Sequence, residues 1–205
     1  GYLCCGYPQT AAGLEDKGQQ IITDNRVLFH RVANTLNYLD IKTVVVSCGT
    51  CLDQLEKYEF EKVFPGCRLL DIHEYLLEKG VRLDDATGVR YMYHDPCHTP
   101  MKTYAPLAVV NGLLGVPVAL NARCCGESGM LATTRPDIST QVRFRKEVEV
   151  KAGAAALRAG GAAGAVKILT SCPSCLQGLS RFDADAATSA DYIVVEMARH
   201  LLGPA

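Results

Sequence analysis

The chain has 205 residues, 48% hydrophobic and 21% charged, which is enough to bury a core and too apolar for a disordered chain. Lys and Arg number 21 against 22 Asp and Glu, a formal net charge of −1, so no basic surplus points to a nucleic-acid partner. The longest apolar run, Leu113 to Leu120, is too short for a membrane span and is broken by Gly115 and Pro117, although peripheral association with a membrane stays open.

In chain order, Ile21, Ile22, Leu28, Phe29, Val32, Leu36 and Leu39 recur at helical spacing and predict an amphipathic helix over 18–39. Thr43 to Ser47 is a β-branched run ending at Cys48, followed by a helical pattern through Leu52, Leu55 and Tyr58. A strand is expected over 68–72 and a short helix from His73 to Lys79, closed by Gly80. The polar stretch Leu83 to Gly88 marks a boundary, giving units 1–85 and 86–205. Beyond it, Val89 to His94 reads as a strand running into Asp95-Pro96, an N-cap followed by a favoured first helical residue. Val116 to Asn121 reads as another strand. Pro136 opens a long helix that passes Val142 and Val148 into an Ala/Gly tract, 152–166. Its charged stretch, Arg143 to Lys151, reads as a solvated face. Val166 to Ser171 is a strand ending at Cys172, a helix follows through Leu176 and Leu179, and a last helix spans about 189–202. Continuous apolar runs of this length suit buried parallel strands. The expected fold is α/β: two related lobes, each a small, mostly parallel sheet flanked by helices.

Ten cysteines stand at 4, 5, 48, 51, 67, 97, 124, 125, 172 and 175. Disulfide scaffolds are typically short, loop-rich and secreted, and this chain is none of these. The cysteines are ordered instead. Cys4-Cys5-Gly6 precedes Ser47-Cys48-Gly49-Thr50-Cys51, and Cys124-Cys125-Gly126 precedes Ser171-Cys172-Pro173-Ser174-Cys175. The spacers from Cys5 to Cys48 and from Cys125 to Cys172 are 42 and 46 residues long, so one unit occurs twice. The second copy adds Cys97, 26 residues before its pair; the abrupt start at Gly1 reads as a cut from a longer protein that removed the first copy's equivalent. Both C-x-x-C motifs fall where a strand turns into a helix, an edge where α/β sheets bind ligands and where helix N–H groups favour thiolates.

Soft thiolates converging from separate loops select zinc, copper(I) or iron–sulfur clusters. Five exceed the four a zinc ion accepts, which favours a multi-iron cluster. Zinc remains the alternative, as a structural or interaction module, and a metal-free dithiol leaves the adjacent cysteines unexplained. Cys67 matches neither copy and reads as a small buried hydrophobe. Gly6 and Gly126 are expected in tight turns. His94 and His98 flank Cys97 and are candidates for tuning the site; His30, His73 and His200 are expected to carry no chemistry. No glycine-rich phosphate loop or G-x-S-x-G is present, and no catalytic residue is assigned. With no signal peptide in view, the protein is expected to be cytoplasmic.

The duplicated C-C-G…C-x-x-C, with His94-Asp95-Pro96-Cys97-His98, resembles the cysteine-rich CCG domain family. That family includes a subunit of heterodisulfide reductase and the iron–sulfur subunits of glycolate, lactate and anaerobic glycerol-3-phosphate dehydrogenases. The resemblance implies that Cys97, Cys124, Cys125, Cys172 and Cys175 ligate a 4Fe–4S cluster, of non-cubane form in the heterodisulfide reductase branch. Cys4, Cys5, Cys48 and Cys51 would form the first site with an upstream cysteine. The 26 residues after Cys97 are fewer than is usual in the family. The resemblance further implies the C-terminal part of a larger flavin- and iron–sulfur-containing oxidoreductase. It would partner a ferredoxin-like domain and a flavoprotein dehydrogenase holding FAD. The clusters would relay electrons from oxidation of a 2-hydroxy acid, or reduce a disulfide directly.

Overall fold

A computed structural model describes residues 3–83, 87–127, 131–160 and 164–203. The fold is α/β, with two small sheets that are parallel throughout. The first sheet pairs β1 (Thr43–Val46) with β2 (Arg68–Asp71). The second has the order β4-β3-β5-β6, with β3 Arg90–His94, β4 Ala119–Leu120, β5 Val166–Thr170 and β6 Ser189–Tyr192.

Side-chain alternation along the central strands builds two cores, one on each face of the second sheet. Tyr91, Tyr93 and Leu169 face a cluster completed by α6 (Pro106–Leu114) and α11 (Ile193–Leu202). Met92, Val166 and Ile168 face the opposite way. Their partners are Val150 and Ala154 of α8 (Pro136–Ala159), Cys175 and Leu179 of α9 (Pro173–Leu179), and Ala186 of α10 (Asp183–Ala186). Gly153 lies so close to β3 that a Cβ there would sit 2.6 Å from the Met92 sulfur. Helix α6 starts on Pro106 and stops at Gly115 in the left-handed region (φ 71°), the usual asymmetry of helix ends.

In the first unit, α1 (Tyr7–Ala11), α2 (Glu15–Thr35), α3 (Gly49–Leu55), α4 (Phe60–Val63) and α5 (Ile72–Glu78) surround β1 and β2. Its core is aromatic: Tyr58 stacks on Phe60 at 5.8 Å and Phe29 meets Phe60 edge-on at 5.1 Å. Cys67 is buried in this core, as its lack of a counterpart in the other copy suggested. Helix α2 turns Ile22, Asn25 and Phe29 inward, while Leu28 and Val32 of the expected stripe are exposed.

The two units share packing. Leu76 and Leu77 of α5 lie against the second unit's core, and Gly112 of α6 admits the Leu77 side chain at a distance no Cβ could keep.

Four sequence expectations need correction. Cys97 ends a strand but starts no helix: residues 95–105 are irregular, because Thr99 and Ala105 each precede a proline and are steered from helical geometry. Asp95 accepts from the Tyr93 hydroxyl at 2.8 Å and caps nothing. Strand β4 is shorter than 116–121: Pro117 has no N–H, and the Val118 N–H is taken by the Asn111 side chain at 2.9 Å. Residues 189–192 are not helical but form β6, which completes the ladder with β5.

Candidate metal centre

The two C-x-x-C motifs occupy matching positions. Cys48 ends the β1 loop and caps α3 with φ −147°, ψ 126°; Cys172 ends the β5 loop and caps α9 with φ −131°, ψ 127°. Each carbonyl accepts from the residue four on, Leu52 or Leu176, at 2.9 Å. From there both units run helix, short 3-10 turn, helix, strand, helix. The adjacent cysteines match too. Gly6 (φ 91°) and Gly126 (φ 82°) hold left-handed turns disfavoured for L side chains, and each glycine N–H points at the first sulfur of its pair, Cys4 or Cys124, at 3.4 Å.

The thiols converge in the same pattern twice. Cys175 lies 3.2 Å from Cys125 and within hydrogen-bonding reach of Cys172; Cys51 bridges Cys5 and Cys48 likewise. The bridging thiol sits between two neighbours that both disfavour its thiolate, so protonation is strongly favoured at Cys175 and Cys51. The neighbours move the other way. The bond from Cys51 lowers Cys5 to about 6 and Cys48 to about 5, and the bond from Cys175 lowers Cys172 to about 7. Cys124, followed by Cys175, holds the Cys125 thiol far below its ordinary value. The Cys124 thiolate is disfavoured first by its bond with Cys125, then by burial, and also by Cys97, which is exposed three residues past β3. All five second-unit cysteines therefore meet at one sheet edge, with Cys125 and Cys175 buried. In the first unit Cys5, Cys48 and Cys51 come together, Cys4 is exposed beside Cys5, and Cys67 lies in the apolar core. No cysteine is disulfide-bonded.

The two sites are near enough for Cys48 to disfavour the Cys172 thiolate. A cavity of about 40 Å³ between them is lined by Tyr7 and Thr50 from the first unit and Cys97, His98, Cys172 and Cys175 from the second. The loop carrying His98 is clamped across the boundary. Asp53 of α3 sits 2.6 Å from His98 Nδ1 and 3.0 Å from Lys102 Nζ, and the Tyr7 hydroxyl lies 3.4 Å from His98 Nε2. A Cβ on Gly49 would fall 1.7 Å from the His98 carbonyl oxygen, so only glycine fits there.

Behind Cys125 stands His94, a candidate from its place near Cys97, and with it a lysine that the sequence pattern did not reveal. His94 is buried at the end of β3, with ligand-capable atoms of His94, Cys125 and Cys175 within 4.8 Å of one another. Lys146, expected on a solvated face, is completely buried, with Nζ 3.1 Å from His94 Nδ1 and 3.0 Å from Glu149. Burial lowers its pKa, against the pull of Glu149. The available signal was spacing: Val142, Lys146, Val150 and Ala154 recur every fourth residue, which puts Lys146 on the apolar face.

The residues flanking the Cys124-Cys125 pair and the remaining histidines are peripheral. Glu127 is buried in an ion pair with Arg181 at 2.6 Å, and Ser128 lies outside the described residues. Arg123 is exposed beside Cys124 in an open cleft shared with Arg145. His73 pairs with Asp71 at 2.7 Å, His200 with Glu196 at 3.1 Å, and His30 is exposed, so none meets a cysteine.

Paired strand-end thiol sites on two α/β units define a duplicated cysteine-rich protein. The cysteine-rich domain family, CCG, matches residues 1–56 and 91–180, and the chain belongs to that family. A domain family of unknown function (DUF3400) matches residues 180–205. Among curated proteins, an uncharacterized iron–sulfur protein of Methanocaldococcus jannaschii is 30% identical over 68% of this chain and 27% of its own length. A fumarate reductase (CoM/CoB) subunit from Methanothermobacter marburgensis is 28% identical over 71% of this chain and 29% of its own. The chain thus spans under a third of the length of these relatives. No solved structure matches. Among the described residues, no helix is long and apolar enough to cross a membrane.

Proposed function

We propose that the chain is an iron–sulfur electron-transfer module of an oxidoreductase, built from units 1–85 and 86–205. The observation that carries this reading is the meeting of Cys97, Cys124, Cys125, Cys172 and Cys175 at one sheet edge, with Cys125 and Cys175 3.2 Å apart. Five soft donors suit a multi-iron cluster and exceed what a tetrahedral zinc ion takes. The names of the two relatives, one an iron–sulfur protein and one a reductase component, agree with it. The finer reading is a 4Fe–4S cluster in the second site, with Cys4, Cys5, Cys48 and Cys51 supplying four ligands to another.

A bound cluster would accept and release single electrons; the chain's residues do the rest. Cys125 and Cys175 supply ligands from an apolar core that excludes water, and Cys97 and Cys124 bring the site to the surface. Substrate chemistry belongs to a partner, for which a flavoprotein dehydrogenase of the glycolate or lactate type, carrying FAD, is our first reading. A second reading is cluster-based reduction of a disulfide at the second site, four of whose cysteines, Cys97, Cys125, Cys172 and Cys175, line one cavity. The chain is placed in the cytoplasm.

The test is anaerobic reconstitution with iron and sulfide. Expected are brown colour, iron and acid-labile sulfide in the wild type, the second site's share of the iron lost in Cys172→Ser, and none lost in Cys67→Ser. A protein prepared anaerobically that holds only zinc sinks the electron-transfer reading, and iron uptake spared in Cys172→Ser removes the second site.

A further inference from the structure

The second site is backed by a buried lysine that touches no cysteine. Lys146 lies on α8 with no solvent exposure, and its ammonium has three N–H donors and no lone pair. Three acceptors surround it: Glu149 Oε2 at 3.0 Å, the Asn121 carbonyl at 3.1 Å and His94 Nδ1 at 3.1 Å. That geometry decides the state of His94. The Nδ1 atom also lies 3.2 Å from the Asn121 carbonyl, so taken alone it could carry a proton and donate there. An ammonium N–H directed at a second N–H would be repulsive. With all three lysine donors engaged, Nδ1 must present its lone pair, and the ring proton moves to Nε2.

Nε2 is itself buried and has no hydrogen-bond partner of any kind, sulfur included, among the described residues. A donor left unsatisfied in such a place costs about 1–3 kcal/mol. The sulfurs of Cys125 and Cys175 lie within 4.8 Å of a ring nitrogen, and His94 favours the Cys125 thiolate. A ligand thiolate would satisfy the Nε2–H.

We propose that Lys146 is a positioning residue: it fixes the His94 tautomer so that Nε2–H donates to the Cys125 sulfur, and so raises the reduction potential of the second site. The inference rests on the iron–sulfur reading of that site. A donor to a ligand sulfur favours the more negative, reduced state, and hydrogen bonds to sulfur are one of the means by which proteins set cluster potentials. Among the described residues of the first site no buried lysine–histidine pair stands behind a cysteine sulfur, although the Thr50 hydroxyl lies 3.2 Å from the Cys48 sulfur. Its cysteine pair is backed by Asn25 and Tyr58, which donate to the Cys4 and Cys5 carbonyls at 2.8 and 3.1 Å, not to sulfur.

The experiment uses the anaerobically reconstituted protein and an EPR-monitored potential titration. Lys146→Met keeps the length of the side chain and removes its donors. It should lower the second-site midpoint so that the reduced-to-oxidised ratio at the wild-type midpoint falls about tenfold, which is about 59 mV for one electron. His94→Phe should give the same shift, and the double variant no more than either alone. His94→Gln, whose amide can also donate to Cys125, should stay near the wild type, and it leaves Lys146 intact should the methionine variant fail to fold. In protein carrying ¹⁵N-histidine, a weak hyperfine coupling in the wild type should vanish in Lys146→Met. A strong coupling would make His94 a direct ligand and overturn the proposal. So would unchanged potentials in both Lys146→Met and His94→Phe. Absence of iron in the wild type removes the iron–sulfur reading and this inference with it, whereas iron with unshifted potentials removes the inference alone.

Discussion

The two cysteine sites share one scaffold and differ in what stands behind and above it. The second sits on a four-stranded sheet, in which the equivalents of β1 and β2 are extended on one side by β3 and β4. Strand β3 brings His94 under the thiols, and α8 packs over β3 to deliver Lys146. The first sheet has two strands, none of its site's four cysteines is buried, and its support is a neutral chain of Asn25, Tyr58 and main-chain carbonyls. One supersecondary unit used twice therefore fixes where the thiols go, and the neighbouring elements fix their electrostatics. A ligand set can be copied with its motif, but the surroundings that tune it cannot.

The sharpest break in the equivalence is at the second residue of each C-x-x-C. Gly49 lies under the His98 carbonyl, whereas its counterpart Pro173 is exposed. Gly49→Ala should push the 97–100 loop away from α3, destabilising the protein by about 1–3 kcal/mol, the usual range for overpacking, and opening the cavity between the sites. Pro173→Ala should stay within about 0.5 kcal/mol. Denaturant unfolding of both variants measures the difference; equal effects would mean that the units do not press on one another there.

This asymmetry shows what the sequence could and could not convey. The strand–cysteine–helix order was legible because a β-branched run, a cysteine and an apolar helical repeat are each local signals. The duplication was legible because spacing survives divergence. Convergence of Cys97 on Cys124 followed from the same logic, yet the helix expected at Asp95-Pro96 did not form, since Thr99-Pro100 overrides a good N-cap. Lys146 was hidden by its neighbours: a run from Arg143 to Lys151 looks solvated unless the helix face is phased against Val142 and Val150. The role of Gly49 was out of reach, because its partner lies 49 residues along the chain in a loop with no regular structure.

A smaller effect separates the supports behind the two sites. Tyr58 is buried, donates to the Cys5 carbonyl at 3.1 Å and accepts from Asn25 at 2.7 Å. Tyr58→Phe keeps the ring stacked on Phe60 and removes both bonds. The expected loss is about 1–2 kcal/mol of stability, together with faster alkylation of Cys5 than of Cys125 in the metal-free protein. Mass spectrometry of the alkylated thiols reads the site selectivity. If Cys5 and Cys125 respond alike, the two supports are not independent.

The smallest expected effect is a pH dependence of the clamp between the units. Burial pushes the Asp53 carboxyl upward, but the bonds from His98 and Lys102 outweigh it and hold the group below its ordinary value. A carboxyl lowered by folding binds fewer protons folded than unfolded near its titration, so stability there rises with pH. The contribution is complete above the unfolded value, about 4, and disappears as pH falls through the lower folded value. Asp53 keeps about a quarter of its side-chain exposure and His98 more, so solvent screening makes the contribution modest. The comparison is between thermal unfolding of wild type and Asp53→Asn from pH 7 down to pH 3. Other carboxylates, such as Glu149 and Glu196, also lie below their ordinary values and make both proteins acid-sensitive, so only the difference between the two curves is diagnostic. It should be widest near neutral pH and close below pH 4. A gap that stays constant to pH 3 would mean that the carboxylate charge does not hold the His98 loop, leaving the seat of Gly49 beneath the His98 carbonyl as the contact that does.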